Sequence, residues 1–126
     1  MKLLLVIYLL SPFVFQEDSN LSGITQAIGN GNTEALSQYF DQSVEIAVLD
    51  DEDVYSKDQA VEIVKTFFAS NQPKSFVKAH EGTSRGNDSQ YCIGNLETST
   101  QTFRVYIYMK VTGSKYLVQE LRFDKE

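Results

Sequence analysis

A chain of 126 residues, 42% hydrophobic and 12% aromatic, has the length of one domain and enough apolar side chains to bury a core, which excludes a disordered tail. Its formal charge of −6 repels phosphate backbones and argues against nucleic acid as a partner. The single cysteine, Cys92, excludes an internal disulfide, so packing must hold the fold, with Cys92 itself read as a small buried apolar residue.

Met1-Lys2 precede an apolar run from Leu3 to Leu10 that continues through Ser11-Pro12 to Phe13-Val14-Phe15. One positive residue and a run of this length fit a secretory signal peptide over residues 1–16. A spanning helix needs about 20 apolar residues, and Pro12 would disturb one. No small-residue cleavage pattern precedes Gln16-Glu17, so the mature start is expected between Phe15 and Asn20. An uncleaved anchor is the rival reading. Lys2 is the one charged residue of 1–16, so removing it takes the net charge from −6 to −7. Residues 17–126 then form a single exported domain, periplasmic or secreted, with no membrane span.

Leu21, Ile24 and Ile28 recur at helical spacing, with Asp18 or Ser19 as N-cap and Gly29 and Gly31 as stop. Asn32 or Thr33 caps a second short helix whose apolar face is Ala35, Leu36, Tyr39 and Phe40. Val44, Ile46 and Val48 alternate as a strand, Asp50–Asp53 reads as a turn, and Val54-Tyr55 as a short returning strand. Ser56-Lys57-Asp58-Gln59 is a capping box for a helix presenting Ala60, Ile63, Val64, Phe67 and Phe68, stopped by Asn71 and Pro73. Four strands follow, at 74–85, 90–98, 102–111 and 115–123. The order α-α-β-(β)-α-β-β-β-β describes an α+β domain: helices packed on one face of a curved, mainly antiparallel sheet.

Register decides which residues could meet a ligand. A loop of Thr112-Gly113-Ser114 pairs Met109 with Leu117, Val105 with Leu121 and Phe103 with Phe123. It sets Tyr108 opposite Val118, Tyr106 opposite Glu120 and Arg104 opposite Arg122. A two-residue Gly-Ser turn is better turn chemistry, but it would put Arg122 opposite Val105, and a one-residue slip moves every side chain to the wrong face, so the apolar match is preferred, helped by a bulge. A loop at 98–101 pairs Leu96 with Phe103, Gly94 with Val105 and Cys92 with Ile107, and His80 is then expected opposite Gly94.

Over residues 20–124 the chain resembles a family of small exported Bacteroidetes proteins classed as a domain of unknown function. It also resembles the cone-shaped, cystatin-like superfold named after nuclear transport factor 2. The stretches that carry this are Gly23–Phe40, Val54–Phe68, Pro73–Gly82, Phe103–Lys110 (FRVYIYMK) and Lys115–Phe123 (KYLVQELRF). The resemblance implies a fold and a location but no activity, because the superfold hosts isomerases, dehydratases, cyclases and many binding or dimerising modules. Lys78 departs from the pattern, since a residue facing the helices is usually apolar.

Two regions carry candidate chemistry. The cone cavity is expected to be lined by Tyr55, Lys78, His80 and Gln119. His80, the only histidine, could serve there as a general base, but it lacks a predictable acid to orient it and reads more simply as a core histidine. The outer sheet face is expected to present Tyr91, Ile93, Tyr106, Tyr108 and Val118 as an apolar patch suited to association, most simply as a homodimer. The acidic run lacks the spacing of a calcium loop, and no zinc, nucleophile-elbow or phosphate-loop motif occurs. No metal or cofactor is therefore expected. The leading reading is a non-enzymatic exported binding or interaction module for a small ligand or protein. The alternative is a small-molecule isomerase or dehydratase using His80 with Tyr55 or Gln119.

Overall fold

A computed structural model describes residues 19–126. The leader expected at 1–16, and Asp18 as an N-cap, lie outside them. Helix α1 (Ser19–Gly29) buries Leu21, Ile24, Ala27 and Ile28. Gly31 ends it at φ +64°, where the Asn32 amide bonds the Ala27 carbonyl (2.8 Å) and the Gly31 amide that of Ile28 (3.1 Å). This paired closure needs a left-handed residue, which glycine adopts without strain. Asn32 then caps α2 (Thr33–Ser37), its side chain accepting from the Ala35 amide at 3.0 Å. The helix is shorter than its apolar spacing suggested. The Val118 amide bonds the Tyr39 carbonyl (2.7 Å), and Phe40 already opens a strand.

That strand, β1 (Phe40–Val48), turns at Leu49-Asp50 into β2 (Asp51–Ser56). Only Asp50 of the acidic run sits in the turn. Asp51, Glu52 and Asp53 belong to the edge strand, where charges discourage pairing with other chains. Helix α3 (Lys57–Ser70) starts at the Ser56 cap, with Ser56 Oγ 3.4 Å from the Gln59 amide, and buries Ala60, Val64, Phe67 and Phe68. The strands β3 (Pro73–Thr83), β4 (Ser89–Thr98), β5 (Thr102–Thr112) and β6 (Lys115–Lys125) complete a six-stranded sheet ordered β2-β1-β6-β5-β4-β3. Every pairing is antiparallel except β1 with β6.

The β4–β5 register is the expected one: Leu96 opposite Phe103, Gly94 opposite Val105, Cys92 opposite Ile107. The β5–β6 register is not. A two-residue Gly113-Ser114 turn, with Gly113 at φ +62°, pairs Thr112 with Lys115 and Met109 with Val118. A bulge at Gln119 then resets the alternation, so Tyr108 faces Glu120, Tyr106 faces Arg122 and Arg104 faces Asp124. Val118 and Tyr116 consequently turn toward the helices, Val118 fully buried and Tyr116 packed against the core. The like-charge pair expected between Arg104 and Arg122 does not form.

A second bulge, at Ala79, changes β3. Lys78, not His80, lies opposite Gly94, and His80 faces Ile93 on the outer side. His80 is exposed, so the core-histidine reading is corrected by the one-residue slip the bulge introduces. The same slip brings Glu81 to the inner side, where its carboxylate answers the Lys78 ammonium at 3.7 Å. A lysine is thereby tolerated on the helix-facing surface.

The core fills the space beneath the sheet. Phe67 from α3 meets Phe123 (ring centroids 4.2 Å apart) and Phe103 (5.0 Å, edge to face), and Ile24, Ile28, Ile107, Met109 and Leu121 close around them. Cys92 is buried here, and its burial pushes the thiol pKa up to about 11. Among the described residues no buried side-chain nitrogen or oxygen lacks a partner.

Candidate functional site

The four residues expected to share a cavity are not brought together. Lys78 closes the inner edge beside Cys92 and Glu81. His80 stands on the outer edge, and no hydrogen bond or ion pair to its imidazole occurs among the described residues. Gln119, at the bulge, donates to Asp41 Oδ2 (3.0 Å), a bond that foremost holds the Asp41 carboxyl below its usual range. Tyr55 alone lines an apolar depression.

That depression is a groove of about 530 Å³ between α3 and the β1–β2 hairpin. Ile46, Val48, Tyr55, Ile63 and Phe67 supply its apolar surface, and Asp51, Glu62, Thr66, Ser70 and Asn71 its polar groups. A second depression of about 440 Å³ shares Tyr55, Glu62 and Ile63 with it and adds Asp58 and Gln59. Ile63 belongs to the apolar face expected of α3. It is only partly buried, because α3 leans on β1 and leaves a gap over β2. Helical periodicity gives the face of a helix but not its distance from a strand, so the groove had no signal beyond Tyr55.

The outer sheet face is organised in rows across the strands. One row runs Val54, Glu45, Glu120, Tyr108, Tyr91, Gly82, and the next Glu52, Ala47, Arg122, Tyr106, Ile93, His80. The β3–β5 half is aromatic. Tyr91 and Tyr106 stack with centroids 6.5 Å apart and planes 20° from parallel, and the Tyr91 ring covers Gly82, where a Cβ would lie 2.7 Å from Cζ. Tyr91 is 39% exposed, while Tyr106, Tyr108 and Ile93 are half-buried. Burial, then the nearby Glu120, raises the Tyr106 phenol pKa.

The β1–β2–β6 half is charged. Arg122 grips Glu52 with two bonds (Nη1–Oε1 2.9 Å, Nη2–Oε2 3.1 Å) over the buried methyl of Ala47, and its Nη1 also reaches Glu120 Oε1 at 3.0 Å. The hydrogen bonds that Arg122 donates to Glu52 and Glu120 raise the guanidinium pKa, and accepting from Arg122 lowers the Glu52 pKa. Glu45 shares a hydrogen bond with Glu52, which, ahead of burial, raises its own pKa. Among the described residues no cluster of three or more metal-ligating side chains occurs, and no helix is long and apolar enough to cross a membrane.

Three helices packed against a six-stranded mixed sheet define a nuclear transport factor 2-like α+β fold. A nuclear transport factor 2-like protein from Cytophaga hutchinsonii superposes with a TM-score of 0.61 at 13% identity, over 84% of this chain and 92% of that one. The family described as Domain of unknown function (DUF4783) matches residues 21–124, and the chain belongs to it. Two solved family members are similar to it. The Bacteroides ovatus protein is 28% identical (TM-score 0.78, 83% of this chain, 94% of that one). The Bacteroides fragilis protein is 29% identical (TM-score 0.77, 82% and 96%). No curated protein matches the chain.

Proposed function

We propose that the chain is an exported, non-enzymatic interaction module that associates through the aromatic half of its outer sheet face, most simply as a two-fold homodimer. The observation that supports this is the contiguity of Tyr91, Ile93, Tyr106 and Tyr108 on adjacent strands, on the side opposite the helices. Val118 drops out of the patch because the bulge buries it. Two such faces pack with their strands within about 30° of each other, tyrosine bodies interdigitating. The charged half, already paired internally, forms the solvated rim. The catalytic alternative required an acid beside a histidine in a cavity, and an exposed His80 on the edge strand gives it no geometric support.

Sedimentation velocity on the wild type and Tyr108→Asp tests the association. A concentration-dependent dimer that the variant abolishes is the expected result, because a buried charge at the patch centre is costly. A wild type that stays monomeric at high concentration removes the homodimer. Export is tested by intact mass from the native host. A chain starting between Phe15 and Asn20 is expected, and a membrane-bound chain retaining Met1 refutes it.

A further inference from the structure

The groove between α3 and the β1–β2 hairpin is acidic on both walls. Asp51 enters from the strand wall and Glu62 from the helix wall, and Asp58 extends the helix side into the adjoining depression. No lysine, arginine or histidine is among the residues lining either depression. The lysine of mid-α3, Lys65, faces the other side of the helix, toward α2. Beneath the carboxylates lies an apolar floor of Ile46, Val48 and Phe67, flanked by Tyr55 and Ile63.

We infer that this groove binds a small organic cation, an ammonium or amidinium group carrying an apolar or aromatic body. The volume of about 530 Å³ falls within the range of small-molecule sites, about 300–1,000 Å³. An apolar body covers the exposed parts of Val48, Tyr55 and Ile63, above the already buried Ile46 and Phe67, and removing that surface from water supplies the bulk of the affinity. The cationic end lies between carboxylates on facing walls, and the Tyr55 ring offers a π face to the same charge. An anionic ligand of identical shape meets like charges on both walls and is rejected. A neutral ligand keeps the apolar contact and loses the orientation. The site lies on the helix side of β1–β2, so it is independent of the association proposed for the outer face.

The test uses three matched probes: 1-naphthylmethylammonium, 1-naphthylmethanol and 1-naphthylacetate. Each is titrated into the isotopically labelled protein while amide chemical shifts are followed. The ammonium is expected to bind most tightly, with shifts confined to β1, β2 and α3 and an affinity that falls as salt rises. Asp51→Asn and Glu62→Gln should each weaken it by about two- to fivefold, the effect of one partly solvated charge. Neither should alter binding of the alcohol. Both side chains are exposed, so the isosteric changes spare the fold. Tyr108→Asp should bind the ammonium like the wild type, which separates failure of this site from failure of the outer-face association. Equal binding of all three probes, shifts centred elsewhere, or no binding overturns the inference.

Discussion

The tip of the Phe76 ring, Cζ and Cε2, occupies the space a side chain on Gly94 would need, and the Phe76 backbone packs beneath Gly29 at the end of α1. A Cβ on Gly94 would sit 2.7 Å from the Val77 carbonyl oxygen as well as inside the Phe76 ring. The glycine therefore admits an aromatic side chain between sheet and helix where any larger residue would expel it. Gly94→Ala is expected to cost about 1–3 kcal/mol, the usual penalty of overpacking a core. Urea unfolding of the two proteins measures it, and an unchanged midpoint contradicts the packing described.

His80→Gln should leave the melting temperature nearly unchanged, within about 0.5 kcal/mol of stability, because an exposed side chain without a partner among the described residues holds nothing in place. A core histidine would lose about 1–3 kcal/mol in the same experiment. Thermal melts at pH 7 separate the two.

The Cys92 thiol is buried, and burial pushes its pKa up to about 11, so little thiolate exists at neutral pH and reagents cannot reach it. Native protein should resist a chromogenic disulfide reagent and react fully in denaturant. Immediate labelling of the native protein would show an open core.

Glu45 provides a pH-dependent test. Its pKa is raised from 4.5, foremost by the hydrogen bond with Glu52 and then by burial, so at neutral pH its charge opposes folding. Glu45→Gln should stabilise the protein at pH 7 by about 0.5 kcal/mol, a surface-scale effect. The gain should vanish as pH falls through the raised folded-state value and below the ordinary glutamate range, where wild-type Glu45 is itself protonated. The Arg122–Glu52 pair has the opposite sign: the Glu52 pKa is lowered, so its contribution is present above the ordinary value and lost on acidification. It operates in both proteins. Melts of the pair at pH 7 and pH 4 decide the matter, and an advantage equal at both contradicts it.

The element order and the β4–β5 register were legible because Cys92, Gly94 and Leu96 alternate without interruption and the 98–101 turn leaves a single pairing. Two bulges were not, since an extra residue changes neither composition nor charge. The Gln119 bulge did leave a trace. Val118, Leu121 and Phe123 are spaced three and then two apart, and the Gly113-Ser114 dipeptide favours a two-residue turn. Together they require one residue to be skipped. The Ala79 bulge left none. The site residues suffered most, because His80, Gln119 and Val118 each lie at or beside a bulge, where a shift of one position exchanges core for solvent. Tyr91, Ile93, Tyr106 and Tyr108 kept their face because they stand on the strands whose alternation is regular.

The placement of β6 between β1 and β5 governs when this protein can fold. The hairpin β1–β2 gains its second neighbour only when residues near 118–123 arrive, and Val44 and Ile46 stay uncovered on that flank until then. A nascent chain lacking this strand holds two fragments of sheet with no seam between them. Such a polypeptide cannot close its sheet until synthesis is almost finished, so the complete fold forms only once its last strand has arrived.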